Sequence, residues 1–180
     1  MKIRFDSRNY LKRARELLDS GKEPFLFYAA YELRCGVECR LIEYSSGEAG
    51  TFKGSDEWKI NRLAKGLKKA ALVQDKIASI RLIPKSASIP ERTFYYTPVT
   101  KQLQREAHGL GNLLHARKPP SLYSDGGLEL LRDRLEKIYS MLSTATAGTL
   151  LAPPVWNREK RLIFYSKVPM QATTKVLRNY

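Results

Sequence analysis

The sequence predicts a mostly α protein, an antiparallel helical bundle of about five helices with a small C-terminal β-hairpin or extended arm. Three observations predict it. Apolar residues recur at three- and four-residue spacing in several separate stretches. Capping residues, glycines and prolines punctuate those stretches and leave mostly short links, which make neighbouring helices antiparallel. Beyond Pro153-Pro154 the pattern changes to a β-type run. Residues 1–148 are read as the bundle and 149–180 as the C-terminal arm or small β element.

Asp6 or Ser7 is placed to cap a first helix that runs to about Ser20, with Tyr10, Leu11, Ala14, Leu17 and Leu18 inward and Gly21 ending it. Pro24 suits the first turn of a second helix that reaches about Tyr44 on the stripe Leu26, Ala30, Leu33, Val37, Leu41 and Tyr44. Residues 45–55 are rich in Gly and Ser and read as a loop. Ser55 or Asp56 then caps a third helix with Ile60, Leu63, Leu67 and Ala71 inward, continued by a short helix around Gln74 to Ile80. Residues 81–97 lie between prolines and read as extended or irregular.

Thr97-Pro98 reads as cap and first turn of a fourth helix on Val99, Leu103, Ala107, Leu110 and Leu114. It has to stop near Arg117, because Pro119 and Pro120 cannot continue it and Pro119 disfavours the helical region for Lys118. Ser124 or Asp125 caps a fifth helix on Leu128, Leu131, Leu135, Ile138 and Leu142, which Gly148 ends. Residues 161–168 (RLIFYSKV) are then expected to pair with residues 172–177 (ATTKVL).

The charge narrows the function. Lys and Arg number 32 against 18 Asp and Glu, a net +14. Such a chain concentrates phosphates around itself, so RNA or another polyanion is the expected partner. The basic rows Arg8-Lys12-Arg15 and Arg62-Lys65-Lys69, with Lys68 beside the second, are the expected phosphate contacts. Phe94, Tyr95 and Tyr96 offer rings for stacking on bases or for closing a core edge.

Two cysteines one helical turn apart, without a framework of even spacings, suit a reduced cytoplasmic protein. No leader or membrane span is expected, since no stretch of about 18 apolar residues occurs. Cys35, Cys39, His108 and His115 are zinc-ligating residue types, but cysteines at i, i+4 lack the turn geometry of structural zinc sites, so no metal and no cofactor is expected. Phosphate-binding P-loops, dinucleotide fingerprints, HExxH and GxSxG are absent from the sequence, which removes the usual signatures of those chemistries.

On the fourth helix Arg105, His108, Asn112 and His115 are spaced by three, four and three, so they share a face away from the apolar stripe. Both histidines of the chain lie there. Arginine steadies charge on a scissile phosphate, and histidine moves protons near neutral pH, so the set suits metal-independent RNA cleavage as well as a polar surface. Gly109 and Gly111 within that helix predict close approach by another element. Arg34 and Glu38 form an i, i+4 pair on the second helix, either a surface pair or a half-buried one that supports the site.

The stretches FYAAYELRCGVECRLIEY (27–44) and LGNLLHARKP (110–119) resemble helical domains of the HEPN type (higher eukaryotes and prokaryotes nucleotide-binding) over roughly residues 5–145. The resemblance implies a homodimeric helical bundle of the toxin–antitoxin, abortive-infection or antiphage type, often a metal-independent ribonuclease. The family's active Arg and His stand on a late helix, and here only the helix and the residue types agree; in an enzyme, His108 or His115 is expected to handle protons, Arg105 to hold the phosphate and Asn112 to orient the set. The family's Arg-to-His spacing of four to six intervening residues is not reproduced: two residues separate Arg105 from His108 and nine separate it from His115. The competing expectation is a non-catalytic interaction module, or a subunit of a larger defence complex with an antitoxin or other acidic partner.

Overall fold

A computed structural model gives the fold and describes residues 6–47, 75–84, 90–114, 124–150, 152–156, 162–163 and 174–176. Among them are four α-helices, α1 (Ser7–Asp19), α2 (Glu23–Gly47), α3 (Lys101–Leu110) and α4 (Gly127–Ala147), and a short 3-10 turn at Gly111–Leu113. Five strands complete the described chain: β1 (Ala78–Pro84), β2 (Arg92–Tyr96), β3 (Val155–Trp156), β4 (Leu162–Ile163) and β5 (Thr174–Val176). The expected helix over residues 55–71 lies outside the described residues.

The apolar stripes form one core. Ala14 and Leu18 of α1, the whole expected stripe of α2, Leu103, Ala107 and Leu110 of α3, and Leu131, Leu135, Ile138 and Leu142 of α4 are buried together. Asp6 caps α1 by accepting the Asn9 N–H, and Gly21 ends the turn at φ 70°, a conformation a side chain resists. Cross-links set the directions. Ser7 meets Glu43 and Arg13 meets Glu32, so α1 and α2 are antiparallel. Arg8 meets Thr146 and Arg132 meets Leu18, so α1 and α4 are antiparallel as well. Gly36 lets α2 pack tightly on both neighbours: a Cβ there would stand 2.8 Å from Leu142 Cδ2 and 3.2 Å from Tyr10 Cβ.

Several expectations are corrected. Residues 78–80 are strand, not the end of a short helix, because Ile80 and Leu82 are buried while Ser79 and Arg81 are exposed, the two-residue period of a sheet. β1 pairs antiparallel with β2, with Ala78 opposite Tyr96 and Ile80 opposite Phe94. Phe94 and Tyr96 therefore enter the core and Tyr95 stays exposed. The cap of α3 is Thr100, which accepts the Leu103 N–H, since the Thr97 hydroxyl is engaged elsewhere. α3 ends at Leu110 and tightens into the 3-10 turn at the two glycines, short of the expected Arg117. Gly126, in the left-handed region at φ 76°, stands at the N-cap of α4 in place of Ser124 or Asp125.

Among the described residues the two C-terminal β segments do not pair with each other. β4 pairs with β3, Val155 opposite Ile163, whereas β5 joins the free edge of β1, Leu82 opposite Val176, giving the order β2-β1-β5. A strand edge satisfies its backbone groups with whichever strand reaches it, so proximity in sequence did not decide the partner.

A buried polar knot holds these parts in register. Arg40 is wholly buried; its Nε donates to the Ala145 carbonyl (2.9 Å), its Nη1 to Glu43 (2.8 Å), and its guanidinium lies 4.3 Å over the Tyr44 ring. Its Nη2 has no hydrogen-bond partner. Glu43 also accepts the N–H and hydroxyl of Ser7. The Tyr44 hydroxyl donates to the Thr97 carbonyl, and the Thr97 hydroxyl donates to Ala145 (2.9 Å) while accepting the Gly148 N–H.

Arg40→Ala leaves Glu43 half-buried without its cation, so unfolding free energy falls by about 3–5 kcal/mol in denaturant titrations. Gly148→Ala is also costly, at about 1–3 kcal/mol, because its Cβ would meet Tyr95 O at 2.9 Å and Thr97 N at 3.1 Å, backbone atoms that cannot swing away. A midpoint unchanged in either variant would remove the knot from its structural role.

Candidate functional site

α3 presents two opposite sides. Leu103, Ala107 and Leu110 face the core, and the residues between them, Arg105 and His108, are exposed, as is Asn112 in the following turn. The expected grouping of Arg105, His108 and Asn112 on one side is thus present as a solvent-facing ridge. His115 lies outside the described residues.

Two arginines flank that ridge, and the glycines make room for them. A Cβ on Gly111 would collide with Arg34 Nη1, and one on Gly109 would stand 2.5 Å from Arg134 Nη2. Both guanidiniums therefore lie on backbone at the C-terminal end of α3, where carbonyls lack helical partners and the helix dipole is negative. Arg134 donates from Nη2 to the Glu106 carbonyl (3.3 Å) and from Nε to the Glu106 carboxylate (2.9 Å). Arg34 donates to Glu38 (3.1 Å) in a half-buried pair. Burial pushes the Glu38 carboxyl above its usual range, and Arg34 opposes that shift. Sequence reading identified Arg34, Glu38 and the close approach at the glycines, but it missed Arg134, Glu106 and the Arg40 knot. A glycine pair inside a helix of a chain rich in arginine was the available signal.

The first basic row is partly engaged within the fold, although Arg8 and Lys12 are exposed. α1 packs against both α2 and α4, so residues on its flanks reach across. Arg8 donates to the Thr146 carbonyl (3.3 and 3.2 Å), and Arg15 donates to both Glu136 oxygens (2.8 and 2.7 Å) and to Asp19 (2.8 Å). The Glu136 hydrogen bonds hold the Arg15 guanidinium above its usual range and the Glu136 carboxyl below it. That contribution is present above the ordinary carboxylate pKa and is lost as pH falls through the depressed value. Lys12 is exposed beside Glu16 (3.9 Å). Arg62, Lys65, Lys68 and Lys69 lie outside the described residues.

Cys35 and Cys39 are half-buried thiols. Burial raises both, Cys39 up to about 12, with the Glu43 carboxylate adding to the shift. Among the described residues no three His, Cys, Asp or Glu side chains gather as a metal-binding group, and no helix is long and apolar enough to cross a membrane.

Thiolate is the reactive form of cysteine, so at pH 8 both native thiols react with iodoacetamide far more slowly than in the denatured chain; equal rates would contradict their burial. Gly111→Ala displaces only the mobile end of Arg34, so its stability stays within about 1 kcal/mol of the parent while a stability gain from the Arg34–Glu38 pair in a double-mutant cycle disappears. Comparison of the chain with protein-family models, with curated proteins and with solved structures returns no match.

Proposed function

We propose that the chain is an RNA-binding helical protein of the HEPN type, acting as a homodimer in a toxin–antitoxin or antiphage system. The observation that carries the reading is the charge and how the acids are used. Among the described residues, Glu16, Asp19, Glu32, Glu38, Glu43, Glu106 and Glu136 form ion pairs with cations of the same chain. The excess of 32 − 18 = 14 cations has no acidic counterpart in the composition. Phosphates supply that counterpart, and displaced counterions drive the association.

In the catalytic form of this reading, Arg105 holds a phosphate, His108 or His115 transfers the proton, and Asn112 orients them. One observation favours the non-catalytic form: His108 and Asn112 stand exposed on the ridge, whereas charge stabilisation of a reacting phosphate gains most where water is excluded. In that form the same ridge contacts RNA, or an acidic antitoxin or defence-complex subunit, without chemistry.

RNA affinity is expected to fall about 100-fold between 50 and 200 mM salt if roughly five phosphates of a single strand are neutralised. Affinity indifferent to ionic strength would end the polyanion reading. Cleavage of RNA by purified protein that is abolished in His108→Ala/His115→Ala supports the catalytic form, and cleavage undiminished in that variant removes these histidines from it.

A further inference from the structure

The outer side of α2 carries an unusual row. Phe25, Tyr28 and Tyr31 follow at three-residue spacing, with Lys22 one step before them and Arg34 one step after. A step of three advances about 4.5 Å along a helix and falls short of a full turn, so the row winds obliquely across the surface. Its two central rings are open to solvent, Tyr28 by 60% and Tyr31 by 52%, although the opposite side of α2, from Leu26 to Tyr44, is buried. The half-buried Phe25 ring supports Tyr28 edge-on with centroids 6.0 Å apart, and the Lys22 ammonium lies 5.6 Å from the Phe25 ring centre. At the far end, Arg34 rests on Gly111 at the foot of the α3 ridge.

Glu32 and Glu38, the carboxylates beside the second half of the row, are bonded to Arg13 (2.8 Å) and Arg34 (3.1 Å). A cation stands at each end of the row, Lys22 with Glu23 next to it in sequence and Arg34 in its pair with Glu38, so the row itself is close to neutral while the whole chain carries +14. Two copies each carrying +14 repel as whole chains, whereas a strand of nucleic acid brings phosphates to a cationic protein and π faces to the rings. A duplex hides its base faces in the stack and leaves only its backbone for contact.

We propose that Tyr28 and Tyr31 form a stacking platform for unpaired bases of single-stranded RNA, with Lys22 and Arg34 flanking the phosphates. This rests on the polyanion reading and adds to it the strandedness of the ligand and the residues that sense it. The strand then runs along the outside of α2 toward Arg34 and the Asn112–His108 side of α3.

Fluorescence anisotropy of the full chain with a labelled single-stranded RNA of about 12 nucleotides, and with a duplex of the same length, tests this. Tyr28→Leu/Tyr31→Leu keeps apolar bulk and helix propensity but removes both π faces; Tyr28→Phe/Tyr31→Phe keeps them. The leucine variant is expected to bind single strands about tenfold or more weakly, with the salt slope unchanged and duplex affinity unaltered, and the phenylalanine variant to bind like the parent. Both positions are more than half exposed, and the unfolding midpoints of the two variants check that each is folded. The single Tyr31→Leu variant gives the same reading should the double variant fold poorly.

A leucine variant that binds single strands like the parent, or loses single strand and duplex equally, overturns the proposal while leaving RNA binding intact. Loss of a dimer in that variant on size exclusion, with RNA affinity preserved, gives the face to a second copy and also overturns it. A parent chain that binds neither RNA removes the polyanion reading, and the platform with it.

Discussion

The carbonyl oxygen of Ala145 is the point on which the described architecture turns. It ends α4, where helical carbonyls have no partner within the helix. Arg40 from α2 and Thr97 from the segment after β2 both donate to it, and the Tyr44 hydroxyl lies 3.2 Å away. Inside a core such bonds are strong, and any one left unmade is costly, so the arrangement tolerates little displacement. Glu43 extends the constraint to Ser7 at the start of α1, and the Tyr95 carbonyl extends it to the N–H groups of Thr149 and Leu150. Because only residues 97–100 separate β2 from α3, fixing Thr97 also fixes where α3 begins. Arg34 on α2 then reaches Gly111, and the exposed ridge acquires a defined neighbour.

Arginine does much of this joining. Among the described residues it supplies the cation of each ion pair except Lys12–Glu16, the most exposed of them. Its planar fork serves two acceptors at once: Arg15 spans Glu136 and Asp19, and Arg134 holds both the carboxylate and the carbonyl of Glu106. A large positive count is therefore part mortar and part surface. The outer face of α1 illustrates the difference, since Arg8 and Arg15 share a row with Lys12 but reach α4.

Long stripes made the main helices legible. α1, α2 and α4 each carry five or more apolar positions at helical spacing, and all three lie where that spacing put them. The strand at Ala78 was not legible because only Ile80 and Leu82 mark its two-residue period, too few to separate from a helix edge. Thr97 looked like a cap and is a core hydroxyl; nothing in Thr97-Pro98 announces a carbonyl 48 residues later. At the site, periodicity sufficed to place Arg105, His108 and Asn112 on one side of α3. What lay beside them depended on tertiary contacts, so Gly109 and Gly111 indicated that something came close without naming Arg134 and Arg34. Tyr31 was legible as a neighbour of the Arg34–Glu38 pair, but the exposure of Tyr28 was obscured by the apolar run FLFYAAY around it.

The pairing of β5 with β1 has a consequence for how the chain is made. Pro84 and Thr174 face each other in the sheet but are 90 residues apart. At about 5–20 residues per second, β1 leaves the ribosome roughly 5–20 s before the strand that covers its edge exists. During that interval Leu82 and Ile83 border an open hydrogen-bonding edge, the kind on which nascent chains adhere to one another. Slower translation of the last third of the message lengthens this window, and a protein shortened by its final residues never closes it.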